Sequence, residues 1–240
     1  MSGTQYIALS GLRARVDELD RLASDIANIG TAGYKGELQS HASAERPVFD
    51  DTLQTAIATT FGGRRLDMAS GAVAPTGRSL DLAIQGKGFF EVATDAGTRY
   101  TRNGHFTLDA SRQIVTEDGK TVLGTDGNPI TVADGDIKVA GDGTVTAGTA
   151  TAGKIAVVDF ADPGALTPEQ GTLLRADGQT PSAIDVPVVQ SGALEQSNVS
   201  VASRLAELTT VSRGFEALQR AISMVMNDVD GKAIDTLGRK

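Results

Sequence analysis

The segment VSVASRLAELTTVSRGFEALQRAISMVMNDVD, residues 199–230, carries an apolar side chain at every seventh position: Val201, Leu208, Phe215, Ile222 and Val229. Val211, Leu218 and Val225 form a companion row, and Leu205 stands one place out of step. A row at strict seven-residue spacing is the seam of a coiled coil. Ser197-Asn198 just ahead are good N-cap residues. At the other end of the chain, residues 4–29, TQYIALSGLRARVDELDRLASDIANI, repeat the pattern in kind. There Leu9, Leu12, Val16, Leu19, Ala23 and Ile26 step by three and four alternately, and Leu22 and Ile29 widen the stripe. About 26 residues at 1.5 Å each make a rod of about 39 Å. Gly11 costs about 1 kcal/mol against Ala in a helix interior, and close approach of another backbone is the expected compensation. The helix is predicted to stop at Gly30-Thr31-Ala32-Gly33, where glycine supplies the terminal turn. An amphipathic helix must bury its apolar stripe. The natural partners are the other end of the same chain and the same ends of neighbouring copies, an arrangement that suits a building block better than an enzyme.

Between the ends the pattern changes. Residues 36–75 have no clear period and read as an extended connector with short strands, or as a segment that orders on assembly. From Leu80 the alternation is that of a strand: Leu80, Leu82 and Ile84 interleave with Asp81, Ala83 and Gln85, and Phe89-Phe90-Glu91-Val92 follows the break at Gly86-Lys87-Gly88. Asp118-Gly119, Asp126-Gly127, Asp134-Gly135, Asp142-Gly143 and Asp177-Gly178 are hairpin-turn signals. Four of the five recur every eight residues between 118 and 143, a spacing that allows strands of about four to six residues. The predicted class is therefore α+β. Residues 1–35 and 195–240 pair as a coiled-coil-like helical module, 36–77 and 181–194 form an extended connector, and 78–180 is an antiparallel β domain.

Composition narrows the function. Charge is uneven: residues 1–35 and 195–240 are each neutral, and the whole net charge of −8 lies in 36–194 as 12 basic against 20 acidic side chains. Neutral ends can crowd together without self-repulsion, and no basic stripe invites nucleic acid. No run of 18 apolar residues spans a membrane, and the first residues lack the basic and apolar regions of a cleavable signal. With no cysteine, disulfides and Cys-ligated metals are excluded. That absence fits a cytosolic chain, which composition alone favours, and also one that crosses compartments without cross-linking.

Candidate catalytic chemistry is thin. Gly71 to Gly77-Arg78-Ser79 has the wrong spacing for a phosphate loop and Arg in place of Lys. Gly86-Lys87-Gly88 is followed by a strand rather than a helix, against a dinucleotide fingerprint. Asp134-Gly135-Asp136 and Gly141-Asp142-Gly143 lack the order of a calcium loop and read as turns. His41 and His105 lie in separate segments without ligand spacing and read as solvated. No catalytic, metal or cofactor residue is assigned. A reading from another class, a carbohydrate-binding or hydrolytic β protein with helical anchors, would need an exposed cluster of acids or of the aromatics Phe89, Phe90, Tyr100, Phe106 and Phe160.

Four segments resemble one family, the flagellar basal-body rod and hook proteins of bacteria. Ser24-Asp25-Ile26-Ala27-Asn28-Ile29-Gly30-Thr31-Ala32-Gly33-Tyr34-Lys35 is similar to its N-terminal signature, with Asp25 and Gly30 departing from the usual Asn. The run from Thr76 to Val92 resembles the central signature, and Tyr100-Thr101-Arg102-Asn103-Gly104-His105-Phe106 continues it. Gly192-Ala193-Leu194-Glu195-Gln196-Ser197-Asn198-Val199 resembles the C-terminal signature. Val122 to Ile130 resembles the proximal-rod branch, where the distal-rod branch tends to carry a Pro-Ile-x-Ile-Pro run. The tail after Phe215-Glu216 departs from both.

The resemblance implies a non-enzymatic axial subunit of the proximal rod, in a basal body that crosses the periplasm, exported unfolded and without a cleaved signal. Its ends would order only on assembly. Its partners would be proximal and distal rod subunits and copies of itself, with no nucleic acid, membrane insertion, small-molecule substrate or cofactor. The implied assembly interface is Leu9, Leu12, Val16, Leu19, Ile26, Leu208, Phe215, Leu218 and Ile222, with Asn28 and Gly33 fixing the helix exit.

Overall fold

A computed structural model describes residues 3–39 and 64–237, with side chains described for 11–38, 65–220 and 222–224. The connector residues 40–63, His41 among them, lie outside the described residues, as does the side chain of Leu9. The chain divides into two compact units. The first holds residues 3–27 and 200–237, the second 28–38 and 64–199.

The first unit is two helices, α1 (Gly3–Ala27) and α2 (Val201–Leu237), packed against each other. The pairing is antiparallel. A Cβ added at Gly11 would touch Leu218 Cδ2 at 3.6 Å, Arg21 meets Glu207, and Asp25 meets Arg204. As α1 advances from Gly11 to Asp25, its partner on α2 recedes from Leu218 to Arg204 by the same number of residues. The neighbour that Gly11 admits is thus a leucine side chain, where the sequence pointed to a backbone. Both helices form and pack against each other within one chain.

Ser197-Asn198 do not cap α2. The helix begins three residues later, and Ser200 takes that place, its Oγ accepting from the Ser203 N–H at 3.5 Å. Asn198 is used elsewhere, as described below.

The second unit is antiparallel throughout its described pairings. Nine strands form one sheet, in which Phe89–Thr94 is the hub. It pairs with Gly97–Thr101 on one side, with Thr121–Val122 on the other, and with Val157–Asp159. The turns expected at Asp118-Gly119 and Asp142-Gly143 close hairpins, with Lys120 O accepting from the Thr116 N–H at 2.8 Å and Thr144 O from that of Ala140 at 2.8 Å. Asp142 tightens its turn by accepting from the Thr144 N–H and hydroxyl, which hold its carboxyl below the usual range.

Residues assigned to a connector also carry strands. Glu37–Gln39 pairs with Arg64–Leu66, Val73–Pro75 with Ala193–Glu195, and Leu82–Ile84 with Val189–Ser191. Two apolar clusters fill the unit. One surrounds Phe90 and Phe106, whose rings meet edge to face at 5.1 Å, and the other surrounds Phe89, Tyr100 and Phe160. All five aromatic residues of this region are buried, none more than 6% exposed. They are core, and cannot form a sugar-binding platform.

Candidate functional site

The helix pair places the sequence-derived interface residues on two kinds of face. On α2, Val211 is 5% exposed, and Leu208, Phe215, Leu218 and Ile222 are half-buried. These continue the row through Arg204 and Glu207, so one stripe of α2 faces α1. On α1 the face against α2 differs from the apolar stripe. It comprises Gly11, Arg21, Leu22 and Asp25, with Leu22 and Asp25 fully buried and Arg21 5% exposed. The stripe Leu12, Val16, Leu19, Ala23 and Ile26 lies elsewhere: Ala23 is exposed, Leu12, Leu19 and Ile26 are half-buried, and Val16 is 42% exposed. At 100° per residue its centre sits about 130° round the helix from the α2-facing side. Periodicity finds the stripe of a helix but not its partner. Here the intramolecular partner takes a face holding Gly11 and Leu22, both noted in the sequence, together with Arg21 and Asp25, which an apolar period does not mark.

Four charges bind the two helices. Arg21 Nη2 lies 2.9 Å from Glu207 Oε1 and its Nη1 3.5 Å from Asp25 Oδ2. Arg204 Nε lies 2.9 Å from Asp25 Oδ2 and its Nη1 2.8 Å from Glu207 Oε2. Each arginine thus touches both acids. Burial pushes the Glu207 carboxyl up, but the hydrogen bonds from Arg204 and Arg21 outweigh it and hold it below the usual carboxylate range.

In the second unit, the segments that continue into α1 and α2 are fastened to each other. Past the end of α1, Asn28 O accepts from the Thr31 N–H at 3.1 Å, and Asn28 Oδ1 accepts from the Thr31 hydroxyl. Gly33 follows with φ +68°, where a Cβ would overlap the backbone of Arg102 and Asn103. Its N–H donates to Glu195 O at 2.7 Å. The positive φ and the close backbone of Arg102 and Asn103 both require glycine. Lys35 Nζ donates to Glu195 Oε1 at 2.7 Å and to Ala69 O at 2.8 Å. Glu195 Oε1 also accepts from the Gly71 N–H, and Arg102 Nε stands 3.4 Å from Oε2. Asn198 completes the clasp, accepting from the Gly36 N–H and donating to Asp67 O and Ala69 O.

The clasp is dry. Lys35 and Glu195 side chains are each 2% exposed and Arg102 6%. Burial pushes the Lys35 ammonium below its ordinary range, and the hydrogen bond and charge of Glu195 restore only part. Burial likewise lowers Arg102. Lys35, Arg102, Glu195 and Asn198 come from segments singled out by their resemblance, whereas Gly36, Asp67, Ala69 and Gly71 do not; Lys35 and Glu195 stand 160 residues apart, and nothing local to either announces the pair.

His105 is not simply solvated. Its Nδ1 lies 2.9 Å from the buried Asp81 Oδ1, beside Arg78, and its side chain is 29% exposed. Among the described residues no group of three or more His, Asp or Glu could hold a metal ion, and no helix is long and apolar enough to cross a membrane.

Residues 83–147 match the family model of the flagellar hook protein FlgE/F/G D1 domain, and residues 190–235 that of the flagellar basal body rod FlgEFG protein C-terminal region. The flagellar basal-body rod protein FlgF of Mesorhizobium japonicum is 31% identical over 251 residues, spanning 100% of both chains. FlgF of Rhizobium meliloti is 32% identical, spanning 97% of each. The rod protein FlgG of Bacillus subtilis is also 32% identical, over 91% of this chain and 93% of its own. The chain belongs to the flagellar basal-body rod protein family, and is a structural subunit of the rod.

Proposed function

We propose that this subunit occupies the proximal rod, where it polymerises through its terminal helices and passes torque from motor to hook. The observation that carries the assembly reading is the apolar row of α1 turned away from α2. Leu12, Val16, Leu19, Ala23 and Ile26 form one face, with Val16 42% exposed. An apolar row that the intramolecular partner leaves uncovered is the kind of surface other subunits bury. Its occupants are copies of the same chain and neighbouring rod proteins. Contacts between unlike faces propagate as a helical tube rather than closing as a dimer. On this reading the helix pairs build the tube through which subunits polymerise, and the clasp at Lys35, Glu195 and Asn198 fastens together the segments of the β unit that continue into α1 and α2.

Two observations support the proximal over the distal position. Residues 122–130 resemble the proximal branch, and the two FlgF relatives above span 97–100% of this chain, where FlgG of Bacillus subtilis spans 91%. Export without a cleaved signal, and absence of enzymatic activity and of membrane insertion, belong to the same proposal. Val16→Asp tests the assembly surface. It should leave the α1–α2 pair formed, by helical circular dichroism of the monomer, and abolish rod incorporation and swimming; normal swimming overturns the assignment. Immunolocalisation along isolated basal bodies separates the two positions, since labelling confined to the hook-proximal part of the rod would overturn the proximal one.

A further inference from the structure

The apolar row of α2 repeats every seven residues, so apolar packing alone does not distinguish the observed pairing from one displaced by a heptad, about 10 Å along the axis. The four-charge cluster does distinguish them. We propose that Arg21, Asp25, Arg204 and Glu207 form a register lock, selecting one of several alignments between α1 and α2 that the apolar repeat leaves nearly equivalent.

In the observed register Asp25 and Arg21 meet Arg204 and Glu207 at 2.9 Å each. A displacement of seven residues one way sets Val211 and Gly214 at those levels. The other way it sets Ser197 and Ser200 there, ahead of the first residue of α2. Neither alignment offers a countercharge, and Arg21 and Asp25, 5% and 0% exposed, would be buried without interhelical partners. Buried charges left so are strongly unfavourable, whereas the same pairs replaced by apolar residues are often neutral or better for stability. A cluster with Arg21 and Asp25 buried, and Arg204 16% and Glu207 37% exposed, is therefore poorly explained as a stability device. Choosing among registers is its better-attested use. Heptad degeneracy makes such a choice necessary here, and the device lies in the helix pair itself, separate from the outward α1 row used for assembly.

The chain has no cysteine, so engineered pairs report register without background. Gly11→Cys with Leu218→Cys reads the observed alignment; Gly11→Cys with Val211→Cys or Val225→Cys reads the two displaced ones. In the parent full-length chain only the first pair should oxidise efficiently. Neutralising the lock with Arg21→Met, Asp25→Leu, Arg204→Met and Glu207→Leu should preserve helical circular dichroism and raise displaced cross-links about tenfold relative to the observed one. If the neutral variant still cross-links only through 11 and 218, closure of the chain at the Gly33–Glu195 clasp sets the register and the proposal fails.

Transposed charges keep the test decisive if the neutral variant does not fold. Arg21→Glu and Asp25→Arg alone should abolish the 11–218 cross-link. Adding Arg204→Asp and Glu207→Arg should restore it. Equal behaviour of the half-transposed and fully transposed chains would overturn the lock.

Discussion

Replacing Glu195 by Gln should destabilise the β unit more than removing Lys35, although the two side chains share one hydrogen bond. Glu195 is the anion between two buried cations, Lys35 at 2.7 Å and Arg102 at 3.4 Å, with side chains 2% and 6% exposed. Glu195→Gln preserves shape but leaves both cations without it, and breaking a buried pair from one side costs about 3–5 kcal/mol. Lys35→Met removes the bonds to Glu195 and Ala69 O but leaves the Arg102–Glu195 pair, a loss of about 1–3 kcal/mol. The pH dependence is also fixed. Burial already lowers the Lys35 pKa, and Glu195 opposes that shift. Without Glu195 the folded chain sheds the Lys35 proton while the unfolded chain keeps it, so unfolding takes up a proton and stability rises with pH. The deficit of Glu195→Gln should therefore narrow as pH rises towards the ordinary lysine value of about 10.4. Urea unfolding followed by tyrosine fluorescence reads this directly, since the chain has no Trp and Tyr34 and Tyr100 both lie in the unit. Lys35→Met costing as much as Glu195→Gln, or a deficit that widens with pH, would refute the account.

Further outcomes follow from the same geometry. Gly33→Ala should destabilise by at least about 2 kcal/mol in urea unfolding, because φ +68° is strained for Ala and its Cβ overlaps backbone. Gly30→Ala, whose Cβ meets nothing within 4 Å, should stay within about 0.5 kcal/mol. Burial raises the Glu91 pKa, so its ionised form costs stability; the advantage of Glu91→Gln over the parent should be absent at about pH 4, below the unfolded value, and grow towards about pH 7 in thermal unfolding. Leu208→Asp, on the α1-facing row, should weaken the helix pair by about 1–2 kcal/mol, lowering helical circular dichroism and rod incorporation while the β-unit unfolding transition is unchanged.

The signals that proved legible are local ones. The Asp-Gly dipeptides mark turns because turn geometry is decided within four residues, and the seven-residue row of α2 marks, from Leu208 to Ile222, the half-buried face turned to α1, because helix period converts spacing into a face; Val201 at its start is 46% exposed. Signals that depend on a distant partner were not legible. Asn198 reads as an N-cap by type, but its amide and carbonyl reach Asp67, Ala69 and Gly36 instead. His105 reads as solvated by isolation, yet Asp81 is brought beside it by an antiparallel bridge between those residues. Residues 181–194 read as connector because strands of two or three residues carry too little alternation to be seen.

By itself the sequence determined the two helices, the β middle, the turn positions, the neutrality of the ends and the family, since each of these is written in spacing, composition or an ordered set of short motifs. The tertiary structure decided which face of α1 meets α2 and that Lys35, Glu195 and Arg102 gather in one buried cluster within the β unit. Those choices depend on which distant groups share a dry site, and desolvation makes a charge seek its countercharge wherever the fold can bring one.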